Sequence, residues 1–97
     1  MRRAARVDRT QAEIVTALRN VGASVQQLHI LGQGCPDLLV GYRRVNYLME
    51  IKDGELPPSK RRLTADESTW MQTWNGQHAV AGSVREALRV IGVWKHY

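Results

Sequence analysis

The sequence predicts an α/β fold in which a mixed β-sheet is flanked by helices, with element order α-β-β-β-α-β-α. Three observations predict it. Capping-box patterns stand at Thr10-Gln11-Ala12-Glu13, at Thr64 with Glu67, and at Ser83-Val84-Arg85-Glu86, each marking a helix start. Short apolar or alternating runs at 24–30, 37–41, 45–52 and 77–81 have the length of strands. Gly, Pro and Asp-Gly separate these runs, as turn formers do.

Taken in order, Ile14, Val15, Leu18 and Val21 follow the first box at helical spacing and Gly22 stops them, which predicts a helix over 11–21. Residues 1–7 read as a flexible basic arm carrying Arg2, Arg3 and Arg6. Ser24–Ile30 is the first strand, followed by a Gly32-Gln33-Gly34 loop. Pro36 leads into an apolar strand, Asp37–Gly41, and Arg43-Arg44 occupies a hairpin turn before the strand Val45–Lys52. Pro57-Pro58 and Ser59-Lys60-Arg61-Arg62 make 55–63 a basic loop. The second helix, capped by Thr64, carries Trp70, Met71 and Trp74 on one side, expected to serve core packing or a dimer face rather than base stacking. Gln77–Ala81 is a fourth strand. Ser83 caps a third helix through Ile91, and Gly92 precedes an aromatic tail whose Trp94 and Tyr97 are expected to meet a partner subunit.

The whole, 1–97, is expected to be a single domain. No apolar run approaches the roughly 20 residues of a membrane span, and the basic start has no apolar stretch of a secretory signal after it. Cys35 is the single cysteine, so no internal disulfide or zinc knuckle is available, and a reducing cytoplasm is expected. His29, His78 and His96 show no metal-ligand spacing. Lys and Arg outnumber Asp and Glu 14 to 9, a net charge of +5, which favours a polyanionic partner through counterion release.

The segment Gly34–Gly54 carries the chemistry. Glu50 and Lys52 lie two apart on a strand and project from one face, while Met49 and Ile51 project from the other. Pairing through the Arg43-Arg44 turn brings Asp37 beside Glu50. Two carboxylates on an apolar sheet are costly unless a cation neutralises them. Mg²⁺, which takes hard oxygen ligands and keeps several waters, suits such a pair. The backbone carbonyl of Ile51 is a further ligand, and Lys52 is placed to orient a water or neutralise developing charge. The competing reading takes Glu50 and Lys52 as wet strand positions and Asp37 as a turn former after Pro36.

The run Gly34-Cys35-Pro36-Asp37-Leu38-Leu39-Val40-Gly41, then Leu48-Met49-Glu50-Ile51-Lys52-Asp53-Gly54, with the Leu63-Thr64 helix start and the Gly76-to-Ala81 strand, resembles the PD-(D/E)XK nuclease superfamily. It is most similar to small stand-alone VRR-NUC domains of phage and bacterial type, themselves similar to archaeal Holliday-junction resolvases. The resemblance implies a restriction-endonuclease-like fold, Asp37 and Glu50 as metal ligands, and Lys52 as the catalytic lysine. It implies Mg²⁺, with Mn²⁺ as a substitute and no organic cofactor, and a homodimer cutting DNA, expected to be branched, in a bacterial or phage-infected cytoplasm. Where relatives carry a first-helix acid this chain has Gln11, with Glu13 two residues on. Both are secondary candidates, and Glu13 also suits a capping role. Glu67, where relatives often hold Gln, likewise reads as a cap. Lys60, Arg61 and Arg62, and Arg2, Arg3 and Arg6, are expected to contact phosphates. The alternatives are a non-catalytic DNA-binding module, a ribonuclease, or a nuclease subunit of a restriction or repair assembly.

Overall fold

The computed structural model describes residues 2–28 and 30–93, with 2–8 described as backbone alone. Helix α1 spans Arg2–Asn20. Strands β1 (Ser24–Gln27), β2 (Leu38–Tyr42) and β3 (Val45–Ile51) follow, then helix α2 (Ala65–Thr73), strand β4 (His78–Ala81) and helix α3 (Val84–Val90). The order α-β-β-β-α-β-α is the one the sequence predicts. The strands form one sheet, β1-β2-β3-β4, antiparallel across its first two pairings and parallel between β3 and β4. A parallel pair needs a crossover connection, which here contains α2.

The register sets two faces. Leu38, Val40, Met49 and Ile51 point to one side and are buried with Ile14, Val15 and Leu18 of α1, Ala81 of β4, and Ala87 and Leu88 of α3. Helices α1 and α3 pack on each other and cover this face. Strand alternation sends Asp37, Leu39, Leu48, Glu50, His78 and Val80 to the opposite face. Helix α2 has no buried residue and touches that face through its side chains.

The β2–β3 hairpin closes in two residues, Arg43 and Arg44, with φ of 50° and 68°. That is the left-handed geometry of a primed turn, matched to sheet twist and usually given to Asn-Gly. It costs an arginine about 1–2 kcal/mol. The Arg43 guanidinium lies 5.3 Å from the Tyr42 ring centroid, an attraction that offsets part of this. The turn fixes Tyr42 opposite Val45 and Leu38 opposite Met49.

Two expectations change at the N-terminus. The backbone of residues 2–7 continues α1 instead of forming a flexible arm, and Thr10 lies inside the helix rather than capping it. Arg2, Arg3, Ala4, Ala5 and Arg6 are strong helix formers with no Gly or Pro among them, so the helix propagates upstream past a locally valid cap. Smaller differences are at the ends. β1 stops at Gln27, and the 55–63 loop contains a 3₁₀ turn, Pro58–Lys60. Thr64 and Glu67 form the complete reciprocal box. At α3, Ser83 accepts from the Glu86 N–H, while Glu86 reaches back to the Gly82 N–H. His29, Trp94, His96 and Tyr97 lie outside the described residues.

Candidate metal centre and its lysine

Asp37 immediately precedes β2, opposite Glu50 by extension of the Leu38–Met49 register. Its Oδ2 accepts the Ile51 N–H at 2.8 Å. The carboxylate therefore takes the place that a continuing β2 backbone would have filled beside β3. A strand residue's N–H and C=O point to the same edge. The Ile51 carbonyl thus faces the Asp37 side, beyond the start of β2, while the next N–H, that of Lys52, turns away to the Ala81 carbonyl at 3.0 Å. Asp37, Glu50 and the Ile51 carbonyl thus converge at one end of the sheet.

Lys52 crosses this cluster. Its Nζ lies 2.8 Å from Glu67 Oε1 and 3.6 Å from Glu50 Oε2. Glu67 Oε1 also accepts the Thr64 N–H at 2.9 Å, so one oxygen serves both the α2 cap and the lysine. Sequence reasoning gave Glu67 the cap alone. The signal for its second role was available in the third position of a helix that starts just after the Glu-x-Lys strand, but the fold is needed to bring 52 and 67 together.

The electrostatics follow from burial. Glu50 is 4% exposed, which removes the solvated-strand reading. Burial, then the charge of Asp37 and contact with Glu67, pushes its carboxyl up to about 9. Burial also raises Asp37, against the opposing Ile51 N–H bond. Burial pushes Lys52 down, but the Glu67 hydrogen bond and charge outweigh it and hold the ammonium above its usual range. Burial would lift Glu67, yet the Lys52 and Thr64 bonds keep it below the usual carboxylate range. Cys35 is raised by burial and then by Glu50 and Asp37, which keeps its thiol protonated and a poor nucleophile.

The donor set fits a hard divalent cation. Two carboxylates and a carbonyl, all oxygen, meet where Glu50 otherwise retains a proton, and the nearby ammonium is engaged by Glu67. Among the described residues, no group of three or more His, Cys, Asp or Glu side chains is arranged to hold a metal. Two carboxylates with the remaining positions left to water and substrate is the coordination style of Mg²⁺.

A cation held by these acids would compete with the proton, which would set a pH dependence. The folded pKa of Glu50 is raised above its unfolded value of 4.5, to about 9. Its stabilising contribution is therefore full below 4.5 and lost as pH rises through about 9. Asp37 acts in the same direction. A cation replacing the proton should raise Tm at pH 8.5 by roughly 6–11 °C at about ten times its dissociation constant, a gain of roughly 1.4 kcal/mol. At pH 5.5 the gain should be much smaller. Thermal melts with and without MgCl₂ at both pH values check this; equal shifts at the two would contradict it.

The other predicted residues are placed separately. Gln11 Nε2 donates to Gln27 Oε1 at 3.0 Å, at the end of β1 beside the start of β2. Glu13 lines a cleft of about 450 Å³ with Arg9, Asp53, Gly54 and Glu86, on the helical side of the sheet and apart from Asp37, Glu50 and Lys52. Lys60 and Arg62 are exposed, and Arg61 donates from Nε to the Leu56 carbonyl at 2.7 Å. The side chains of Arg2, Arg3 and Arg6 lie outside the described residues. Trp70 and Trp74 are not core residues. Their rings stack on each other at 4.7 Å, and Trp70 meets the His78 ring edge-on at 6.0 Å. Among the described residues, no helix is long and apolar enough to cross a membrane.

No family model and no curated protein matches the chain. Among solved structures it is similar to one described as a "VRR_NUC domain", with a TM-score of 0.67 and 24% identity, over 94% of this chain and 97% of that one. The chain thus shares the fold of the structure described as a VRR_NUC domain.

Proposed function

From this fold, we propose that the chain is an endonuclease that hydrolyses DNA phosphodiester bonds with Mg²⁺, for which Mn²⁺ can substitute. The observation that carries the proposal is the convergence of Asp37 and Glu50 from adjacent strands beside the Lys52 ammonium. The second strand position after the acid, Lys52, puts a permanent cation where a phosphate would lie. A solved structure with the same fold is described as a VRR_NUC domain, which supports the nuclease reading.

In this reading Asp37, Glu50 and the Ile51 carbonyl hold the cation, which supplies Lewis-acid activation of the phosphodiester and of the attacking water. Lys52 donates to a non-bridging phosphoryl oxygen and neutralises charge that develops there as the P–O bond breaks. Glu67 positions the Lys52 chain, so little ordering is left for the reaction itself. Lys60 and Arg62, with Arg2, Arg3 and Arg6, contact phosphates and give affinity without sequence readout. Selection is then by DNA shape. A homodimer with two-fold symmetry would set two such centres on a branched substrate such as a four-way junction.

Cleavage of linear, flapped and four-way DNA by the wild-type chain and by Asp37→Ala tests the proposal. The wild type should cut branched DNA with Mg²⁺ and stop in EDTA, and Asp37→Ala should be inactive. Metal-independent binding with no cleavage by either protein would favour a non-catalytic DNA-binding module instead.

A further inference from the structure

Helix α2 presents one more feature that the chemistry above does not use. Glu67 and Trp70 stand at positions i and i+3 of the helix and share a face, which Trp74, the C-cap residue, extends by stacking on Trp70. Glu67 fixes that face to Lys52, and Trp70 fixes it to His78 on the outer side of the sheet. Trp74 completes it, yet remains 47% exposed. One face of its indole lies on Trp70 with an interplanar angle of 14°. Its Nε1–Cδ1 edge sits so close to Gly76 that a Cβ there would lie 2.8 Å from Nε1. The ring is therefore contacted on one face by Trp70 and along one edge by Gly76, while about half of the residue stays open to solvent. A half-open indole, already stacked on one face, offers a broad planar surface with a polar N–H at its edge.

We infer that Trp74 is a stacking platform for an unpaired base, making DNA with unpaired nucleotides beside the scissile bond the preferred substrate. The inference rests on the reading of Asp37, Glu50 and Lys52 as a DNA-cleaving centre. Trp74, the C-cap residue of α2, stands seven positions after Glu67, about 10 Å along the axis, or about three nucleotide steps of a stacked strand. At the opposite end of α2 from Trp74, the exposed Lys60 and Arg62 precede the Thr64 cap, and the chain carries a net charge of +5. A strand held by phosphates at this loop and by its bases at Trp74 runs along α2 past Glu67, which holds Lys52. Every base offers a π-face, so such a platform selects unpaired structure and not sequence.

The test uses the full chain carrying Asp37→Asn, which keeps the strand intact, and flap DNA with 2-aminopurine at unpaired or paired positions near the branch. Fluorescence should fall on binding at an unpaired position and stay level at paired ones. Trp74→Leu should abolish the fall and weaken flap binding by about 10-fold, leaving duplex binding nearly unchanged, while Trp74→Phe retains both signals. An unaltered fall in Trp74→Leu would overturn the inference, as would equal weakening for flap and duplex. So would a change in sedimentation from dimer to monomer with the flap preference intact, since the face would then join two copies of this chain. Cleavage by the wild-type chain separates the two readings: stacking without cutting removes the nuclease reading, and cutting without stacking removes this one.

Discussion

Replacing Lys52 with alanine should lower the rate of DNA cleavage by about 10²–10³-fold, the usual loss when one donor to a developing oxyanion is removed. DNA affinity should change little, because phosphate binding is spread over many basic residues. Single-turnover cleavage together with fluorescence anisotropy separates the two effects. The ammonium is held between Glu50 at 3.6 Å and Glu67 at 2.8 Å, so its loss leaves three carboxylates in one region with one compensating charge fewer. The variant should therefore bind a divalent cation at least as well as the wild type while failing at the chemical step. Lys52→Arg should not restore full activity, since a planar fork cannot occupy the position of a compact ammonium. Equal cutting by Lys52→Ala would remove this residue from the reaction.

Replacing Gly34 with alanine should cost at least about 10-fold in cleavage, because a shift of about 1 Å in a positioning element can cost 10²-fold. Gly34 has φ of +81°, and a Cβ built there runs into the backbone carbonyl of Asp66 and within 2.9 Å of the Glu67 N. The obstacle is helix backbone, which cannot swing aside like a side chain, so the Gly34 loop and the first turn of α2 must be pushed apart. One side of that separation leads into Asp37 and the other carries Glu67 with its Lys52 contact. Gly32→Ala is the control: its φ of +65° imposes a similar backbone cost, but nothing lies within 4 Å of the added carbon. Gly32→Ala should lose about 1–2 kcal/mol of stability, Gly34→Ala should lose more because of the overlap with α2, and only Gly34→Ala should lose activity beyond what its stability explains. Cleavage assays beside thermal melts check this, and matching activity in the two variants would refute the coupling of α2 to the site.

Most of the fold was legible because its signals are local and repeated. Thr64 with Glu67 and Ser83 with Glu86 mark helix starts whatever surrounds them, and the alternation Met49-Glu50-Ile51-Lys52 assigns faces without knowledge of the partner strands. The juxtaposition of Asp37 and Glu50 was legible for a related reason, since a two-residue hairpin permits a single register. What escaped was set by context. Thr10 has a valid capping pattern but lies in α1, because propensity upstream decides where a helix begins. Glu67 has one local role and one tertiary role, and a sequence displays the first. Trp70 and Trp74 have the spacing of a core stripe, yet α2 buries none of its residues. Spacing identifies which residues share a helix face, and it carries no information on whether anything covers that face.

The most direct measurement is the binding of Mn²⁺, followed by electron paramagnetic resonance, to the wild-type chain and to Asp37→Asn. Asparagine keeps an oxygen to accept the Ile51 N–H, so the fold is preserved while the charge is lost. The wild type should bind Mn²⁺ in competition with Mg²⁺, and Asp37→Asn should weaken that binding by at least about tenfold, roughly the 1.4 kcal/mol that one lost charge-assisted contact represents. Undiminished Mn²⁺ binding by Asp37→Asn would place the cation elsewhere and contradict the account.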